Sequence, residues 1–301
     1  MAQRKGKSQK KRKQVKLNFS PVLLAAILLG VFILGAAAFF IIDRFTDAPG
    51  APEKIAIVKE IPKPVPPIKP PVFPPPIIPA YKYRAAIVID DMGRDISKLR
   101  DLMEVDVPIN IAILPYLKDS VLVAEEANAR GWNVILHLPM EPRDIEKHNP
   151  GKGALLTGMT TEEVRIVVNG DLDAVPFAVG MNNHMGSRFT EDKLLMGVVL
   201  ETAKERGVFF LDSKTTNKSV GQSLARKMGV KSAARSVFLD NSQDKEYISA
   251  QIEELIRLAK KNGTAIGIGH PHLETISVIR ERALDFERAG VRLVSLEELV
   301  K

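Results

Sequence analysis

Cysteine is absent from the 301 residues, which excludes a disulfide framework and any metal site built on thiolates. Its absence accords with an oxidising compartment, where a stray thiol is a liability. Acidic residues are absent from positions 1–18, MAQRKGKSQKKRKQVKLN, which carry eight Lys and Arg. The chain's net charge of +7 therefore belongs to this tail, and removing its eight charges leaves the other 283 residues at about −1. No basic stripe with interleaved aromatics remains elsewhere, which argues against nucleic acid as a ligand. No G-x-G-x-x-G follows the first candidate strand, so a dinucleotide cradle is not indicated.

Charge is lacking from one further stretch, PVLLAAILLGVFILGAAAFFII, residues 21–42. At about 1.5 Å per residue it reaches roughly 33 Å, enough to cross a hydrocarbon core. The apolar core of a cleaved signal peptide spans only about 7–15 residues. Bulky Phe39, Phe40, Ile41 and Ile42 also follow the one Ala-x-Ala here, so the run reads as an uncleaved transmembrane helix. With the basic cluster before it and Asp43 after it, the positive-inside rule keeps residues 1–20 cytoplasmic and exports the rest of the chain. In a two-membrane bacterium that means an inner-membrane anchor and a periplasmic domain. Residues 43–80 include EIPKPVPPIKPPVFPPPIIPA, too rich in proline for helix or sheet. This segment reads as a polyproline II stalk, or alternatively as a ligand for a groove-type partner domain.

Residues 81–301 alternate short apolar runs with amphipathic ones. Candidate strands are RAAIVID (84–90), PINIAIL (108–114), WNVILHL (132–138), FAVGM (177–181), VFFLD (208–212), RSVFLD (235–240), TAIGIG (264–269) and VRLV (291–294). Between them EDKLLMGVVLETAKER and DKEYISAQIEELIRLAKKN space apolar residues by three and four, the helical period. Gly131, Gly207, Gly263 and Gly290 each end a helical pattern just before a strand, and Thr160 with Glu163 suits a capping box. Strand then helix, repeated, specifies a parallel sheet under a layer of helices, best as a closed or nearly closed α/β barrel, with an open doubly wound sheet as the alternative.

In such barrels chemistry collects at the C-terminal strand ends. Those ends read Asp90-Asp91, His137, Asn182-Asn183-His184, Asp212, Asp240 and His270-Pro271-His272, and they gather four of the five histidines. Adjacent carboxylates at the mouth of a buried strand are costly unless a cation compensates them. A divalent ion, Zn²⁺ being well suited to mixed His and Asp ligands, supplies that charge. Strict pleating sends Asp90 and Asp91 to opposite faces, so both serve one site only if the strand bends, which Gly93 permits.

The ordered set IVIDDMG (87–93), HLPMEP (137–142), NNHMGSRFT (182–190), LDSKTT (211–216) and GIGHPH (267–272) resembles the divergent polysaccharide deacetylase family over residues 83–301. The resemblance implies a distorted (β/α)7 barrel and metal-dependent amide hydrolysis on an N-acetylated cell-envelope glycan. It implies Asp90 as general base, Asp91 and His137 as metal ligands and His270 as general acid. The wider superfamily places a second metal histidine four residues after the first. Glu141 stands there in this chain, and His184 is the substitute, with the His270/His272 pair as another source of a ligand. Asp212 is expected to orient a histidine or a substrate hydroxyl. Asn182, Asn183, Ser187, Arg188, Lys214 and Thr215 offer donors to a sugar or an oxyanion, with His272 beside them, although as loop residues they equally suit turns. The superfamily's arginine-proline and aspartate-tryptophan motifs are missing, Trp132 being the one tryptophan. The alternative is thus a non-catalytic module of the same fold that binds glycan or a protein partner. A hydrolase acting on a peptide amide of the cell wall is a third reading.

Overall fold

The computed structural model describes residues 81–301. The expected tail, span over 21–42 and stalk over 43–80 lie outside the described residues. Among the described residues no helix is long and apolar enough to cross a membrane.

Strands β1 (Tyr83–Met92), β2 (Asn110–Ile113), β3 (Asn133–Met140), β4 (Ala178–Met185) and β5 (Phe209–Asp212) alternate with helices α1 (Ile96–Met103), α2 (Ser120–Ala129), α3 (Thr161–Ala174) and α4 (Lys193–Glu205). Helix α5 (Gly221–Met228), strands β6 (Ser232–Ala234) and β7 (Val237–Phe238), helix α6 (Lys245–Asn262), β8 (Thr264–Gly269), helix α7 (Leu273–Arg288) and β9 (Val291–Leu293) complete the chain. All strand pairs are parallel, in the order β6-β5-β4-β3-β2-β1-β8-β7, with β9 beside the start of β1. The result is a parallel α/β half-barrel with helices outside.

The expected strand over 235–240 shortens to β7, Val237–Phe238, and a separate piece, β6, lies just before it at Ser232–Ala234. Arg235 N donates to Asp212 O at 3.0 Å on the β5 side, whereas Ser236 N donates to Ile266 O at 2.8 Å on the β8 side. The chain changes partner between those two residues, so neither piece can lengthen. Elsewhere the punctuation in the sequence acts as expected. Gly131, Gly207, Gly263 and Gly290 all adopt positive φ after their helices. Thr160 and Glu163 close the capping box, Glu163 N donating to Thr160 Oγ1 at 3.2 Å and Thr160 N to Glu163 Oε2 at 2.8 Å.

Side-chain parity divides the buried residues into two layers. Ala85, Ile87 and Ile89 of β1 pack outward against helices, together with Leu136, Phe210 and Phe286. Ala86 and Val88 point inward, joining Ala112, Ile135, Leu211 and Ile268. Val294, Leu296 and Leu299 from the C-terminal segment fill the same inner layer. Each fully buried side chain of this size contributes about 1.5–3 kcal/mol. Gly180 on β4 is needed for close approach, since a methyl group there would lie 2.2 Å from the Phe209 ring. Carried upward, the inward parity of β1, β3 and β4 reaches Asp90, His137, and Asn182 with His184.

Candidate active site

The strand end at Asp90-Asp91 is not regular. The register of β1 against β2 shifts between Ile89 and Met92, and Asp91 takes a left-handed backbone at φ 58°. Aspartate tolerates that conformation better than most side chains. The bend expected from Gly93 thus occurs at Asp91 itself, with Gly93 following at φ 113°. One irregular residue lets both carboxylates face the same mouth, which alternation forbids.

Asp91 Oδ1 lies 3.1 Å from His137 Nε2 and 2.9 Å from His184 Nδ1. The two ring nitrogens are themselves 3.0 Å apart. Oδ1 is nevertheless buried without completing a hydrogen bond to either ring. A carboxylate oxygen and two ring nitrogens thus crowd one point, and the hydrogen bond between His184 Nδ1 and His137 Nε2 links the two rings across it. A carboxylate oxygen and two imidazole nitrogens are the donor set that suits Zn²⁺, with one position left open, so these three residues fit a divalent cation. Burial works against the charged form of Asp91, but the positive charge that His137 and His184 carry when protonated outweighs it and holds the carboxyl below its ordinary range while no cation is bound.

The neighbours of His137 prepare it for this duty. Asn182 Nδ2 donates to Asp90 Oδ1 at 2.8 Å, which fixes the amide orientation because an ionised carboxylate only accepts. Asn182 Oδ1 must then accept from His137 Nδ1, 2.8 Å away. The proton is held on Nδ1, and the Nε2 lone pair faces Asp91 and His184. Asp90 is buried, with Oδ2 3.6 Å from His137 Nε2. Burial raises its pKa, against the pull of His137 and His270. A buried carboxylate with raised basicity, beside the ligand triad and outside it, suits proton abstraction.

On the opposite side His270 Nδ1 lies 3.0 Å from Asp240 Oδ1. Asp240 Oδ2 accepts from His270 N at 2.6 Å and from Thr275 Oγ1 at 2.8 Å. Burial lowers the pKa of His270, but Asp240 together with the charges of Asp90 and Asp91 raises it to about 9. The ring is therefore protonated at neutral pH and able to act as an acid.

Other expected site residues have different duties. Asp212 has outward parity and touches no histidine. Its Oδ1 accepts from Lys214 N at 2.9 Å, and its Oδ2 accepts from Ser219 Oγ at 2.8 Å and Gln222 N at 3.1 Å. It shapes the loop into α5, and the orienting role expected of it belongs to Asp240. Asn183 is likewise committed, accepting from Ser213 N at 2.9 Å and donating to Met185 O at 2.8 Å. Thr215 Oγ1 donates to the same carbonyl at 2.7 Å, so both residues spend donors on the protein's own backbone. Arg188 pairs with the buried carboxylate of Glu141 at 3.1 Å. Glu141 also accepts from Thr157 Oγ1 at 2.8 Å, so the residue standing at the superfamily histidine position braces a loop. Lys214 is exposed with φ 48°, and His272 stands just before α7 with no side-chain bond to the helix, its Nε2 3.3 Å from Gln243 Nε2. His272 also joins Asp240 and His270 in a second group with metal-ligand spacing, but both Asp240 oxygens already have partners.

Arg235 had no place in the expected site. Its Nε donates to Ser213 O at 2.7 Å and its Nη2 to Lys214 O at 2.9 Å, pinning the loop after β5, and its guanidinium lies 3.7 Å from the Phe238 ring centre. The family model for divergent polysaccharide deacetylases matches residues 87–300. The chain belongs to that family. An uncharacterized protein of Haemophilus influenzae is 37% identical over 197 residues, covering 65% of this chain and 70% of the relative. The uncharacterized protein YibQ of Escherichia coli K12 is 35% identical over 203 residues, covering 67% of this chain and 63% of its own. A crystal structure of an uncharacterized protein from Agrobacterium tumefaciens C58 superposes with TM-score 0.69 at 23% identity, covering 72% of this chain and 89% of that one. That likeness concerns the fold, and within it this divergent family member brings Asp91, His137 and His184 to one point.

Proposed function

We propose that the protein is a membrane-anchored, metal-dependent hydrolase that removes acetyl groups from an N-acetylated glycan of the cell envelope. The observation that supports this most is the meeting of Asp91, His137 and His184 around one point, with Asp90 free beside them. The half-barrel is read as the distorted (β/α)7 barrel of the polysaccharide deacetylases. The apolar run over 21–42 and the basic tail support an inner-membrane anchor with a periplasmic domain.

A divalent cation held by the three ligands supplies Lewis acidity toward an amide carbonyl and toward water. Asp90 takes the proton of the attacking water, its basicity raised by burial. His270 enters the cycle protonated and gives its proton to the departing amine, while Asp240 holds the ring in place. Asn182 couples the two halves by fixing the tautomer of His137 and a rotamer of Asp90.

One observation favours a second reading, a non-catalytic binding module. Glu141 occupies the superfamily position for a metal histidine and is tied to Arg188 and Thr157. Acetate release from N-acetylated oligosaccharides, measured with and without chelator on protein of known metal content, separates the two. Chelator-sensitive release is the expected result. Bound metal with no release would leave the module reading.

A further inference from the structure

A cavity of about 270 Å³ opens beside Asp91 and His184 and runs along the loops after β1, β2 and β3. Its wall includes Leu114 and Pro115 and two cations, Arg94 and Lys152. Both cations are exposed. Among the described residues neither forms an ion pair, although most other arginines of the domain do. Asp91 is the one carboxylate on the wall, and its Oδ1 is turned to the two imidazoles.

The loop that carries Lys152 is built, not loose. Leu155 N donates to Pro139 O at 2.9 Å and Glu141 N to Leu155 O at 2.9 Å, so the loop's end is stitched to β3. Gly153 closes over Asp171, where a methyl group would lie 2.3 Å from Oδ1. Lys152 Nζ rests 4.5 Å from the Tyr116 ring centre, a cation–π contact that holds it at the cavity rim. One cation positioned on an aromatic ring and a second exposed one, neither with a carboxylate partner, make a wall that favours negative charge beside Asp91 and His184.

We infer that this cavity is a subsite for an anionic substituent, carboxylate or phosphate, on the sugar unit adjoining the acetylated one, held by Arg94 and Lys152. The hydrolase reading enters only through the acetyl group on the neighbouring unit; the charge preference stands without turnover. A guanidinium grips a planar or tetrahedral oxyanion through a fork of donors, and the ammonium adds a point charge.

The test is calorimetric binding to the full chain of three N-acetylated oligosaccharides that differ in one group: a carboxylate, its methyl ester, and a phosphate. The wild type is expected to bind an anionic form at least about tenfold more tightly than the ester. Whichever anion is preferred names the source of the charge. In Arg94→Gln/Lys152→Gln the preference should fall to about one, while Lys261→Gln, on the far end of α6, keeps it. Equal affinity for acid, phosphate and ester in the wild type, absence of binding included, would overturn the inference, as would a preference that survives the double substitution. A protein that discriminates charge but releases no acetate keeps the subsite and loses the hydrolase reading alone.

Discussion

Asp171 offers a stability experiment whose sign and slope come from burial alone. It sits on α3 among Val164, Val168 and Leu172, with no exposed surface, and neither carboxylate oxygen has a partner. Tyr116 faces it closely enough to lower its pKa but completes no hydrogen bond. Burial, only weakly opposed by Tyr116, raises its pKa from 3.8 to about 8. The folded state thus keeps a proton that the unfolded chain releases above 3.8, and stability must fall as pH rises between these values. At roughly 1.4 kcal/mol per pH unit, the loss accumulated by pH 7 has an upper bound of about 4 kcal/mol. Asp171→Asn copies the neutral acid in shape and cannot ionise. Its amide still buries polar atoms without partners, a pH-independent cost of about 1–3 kcal/mol, so slope is the diagnostic quantity. Urea unfolding of the domain over residues 81–301 at several values between pH 5 and 7 reads it. The variant should gain on the wild type by about 1 kcal/mol for each unit of rising pH. Parallel curves would show that Asp171 is ionised or screened, and the argument from its missing partners would fail.

Four further outcomes are expected from the same geometry. Asp90→Asn should retain metal, since Asp90 lies outside the ligand triad, and lose about 10²–10⁴-fold in acetate release; intact turnover would remove Asp90 as the base. Asn182→Ala frees the tautomer of His137 and should weaken Zn²⁺ binding about 10–100-fold by competition titration, an effect absent if Asn182 only packs. Asp240→Asn removes the principal partner of His270, so in metal-free protein the ring should titrate well below the wild-type value of about 9 by NMR; an unmoved titration would assign the shift to other charges. With that high folded pKa, the ring's contribution to stability is complete below its ordinary 6.5 and disappears as pH rises through about 9. Gly180→Ala drives a methyl into the Phe209 ring and should cost about 1–3 kcal/mol in thermal or urea unfolding, whereas an unchanged midpoint would mean the inner layer yields freely.

The strand tips are legible in the sequence because each ends an apolar run in a polar residue, and a parallel α/β arrangement must bring such ends to one edge. That pattern is enough to single out Asp90, Asp91, His137, His184 and His270. It cannot rank Asp212 against Asp240, two aspartates that end similar runs. Asp212 keeps the outward parity of Phe210 and is claimed by Lys214, Ser219 and Gln222. Asp240 comes after a split strand whose partners change at Arg235 and Ser236, and no local pattern announces that break.

By itself the amino-acid order determined most of the alternation of strands and helices and their stops, which depend on neighbours within a few residues, and, through motifs in order along the whole domain, the family. Only the tertiary structure decided which polar groups remain free for chemistry. Asn183 and Thr215 read as donors in isolation, yet the carbonyl of Met185 and the amide of Ser213 engage them. Asp91 reads as misdirected until the bulge turns it toward His137 and His184. The physical reason is that a buried polar atom must find a partner wherever the fold places one, and that partner is commonly dozens of residues away.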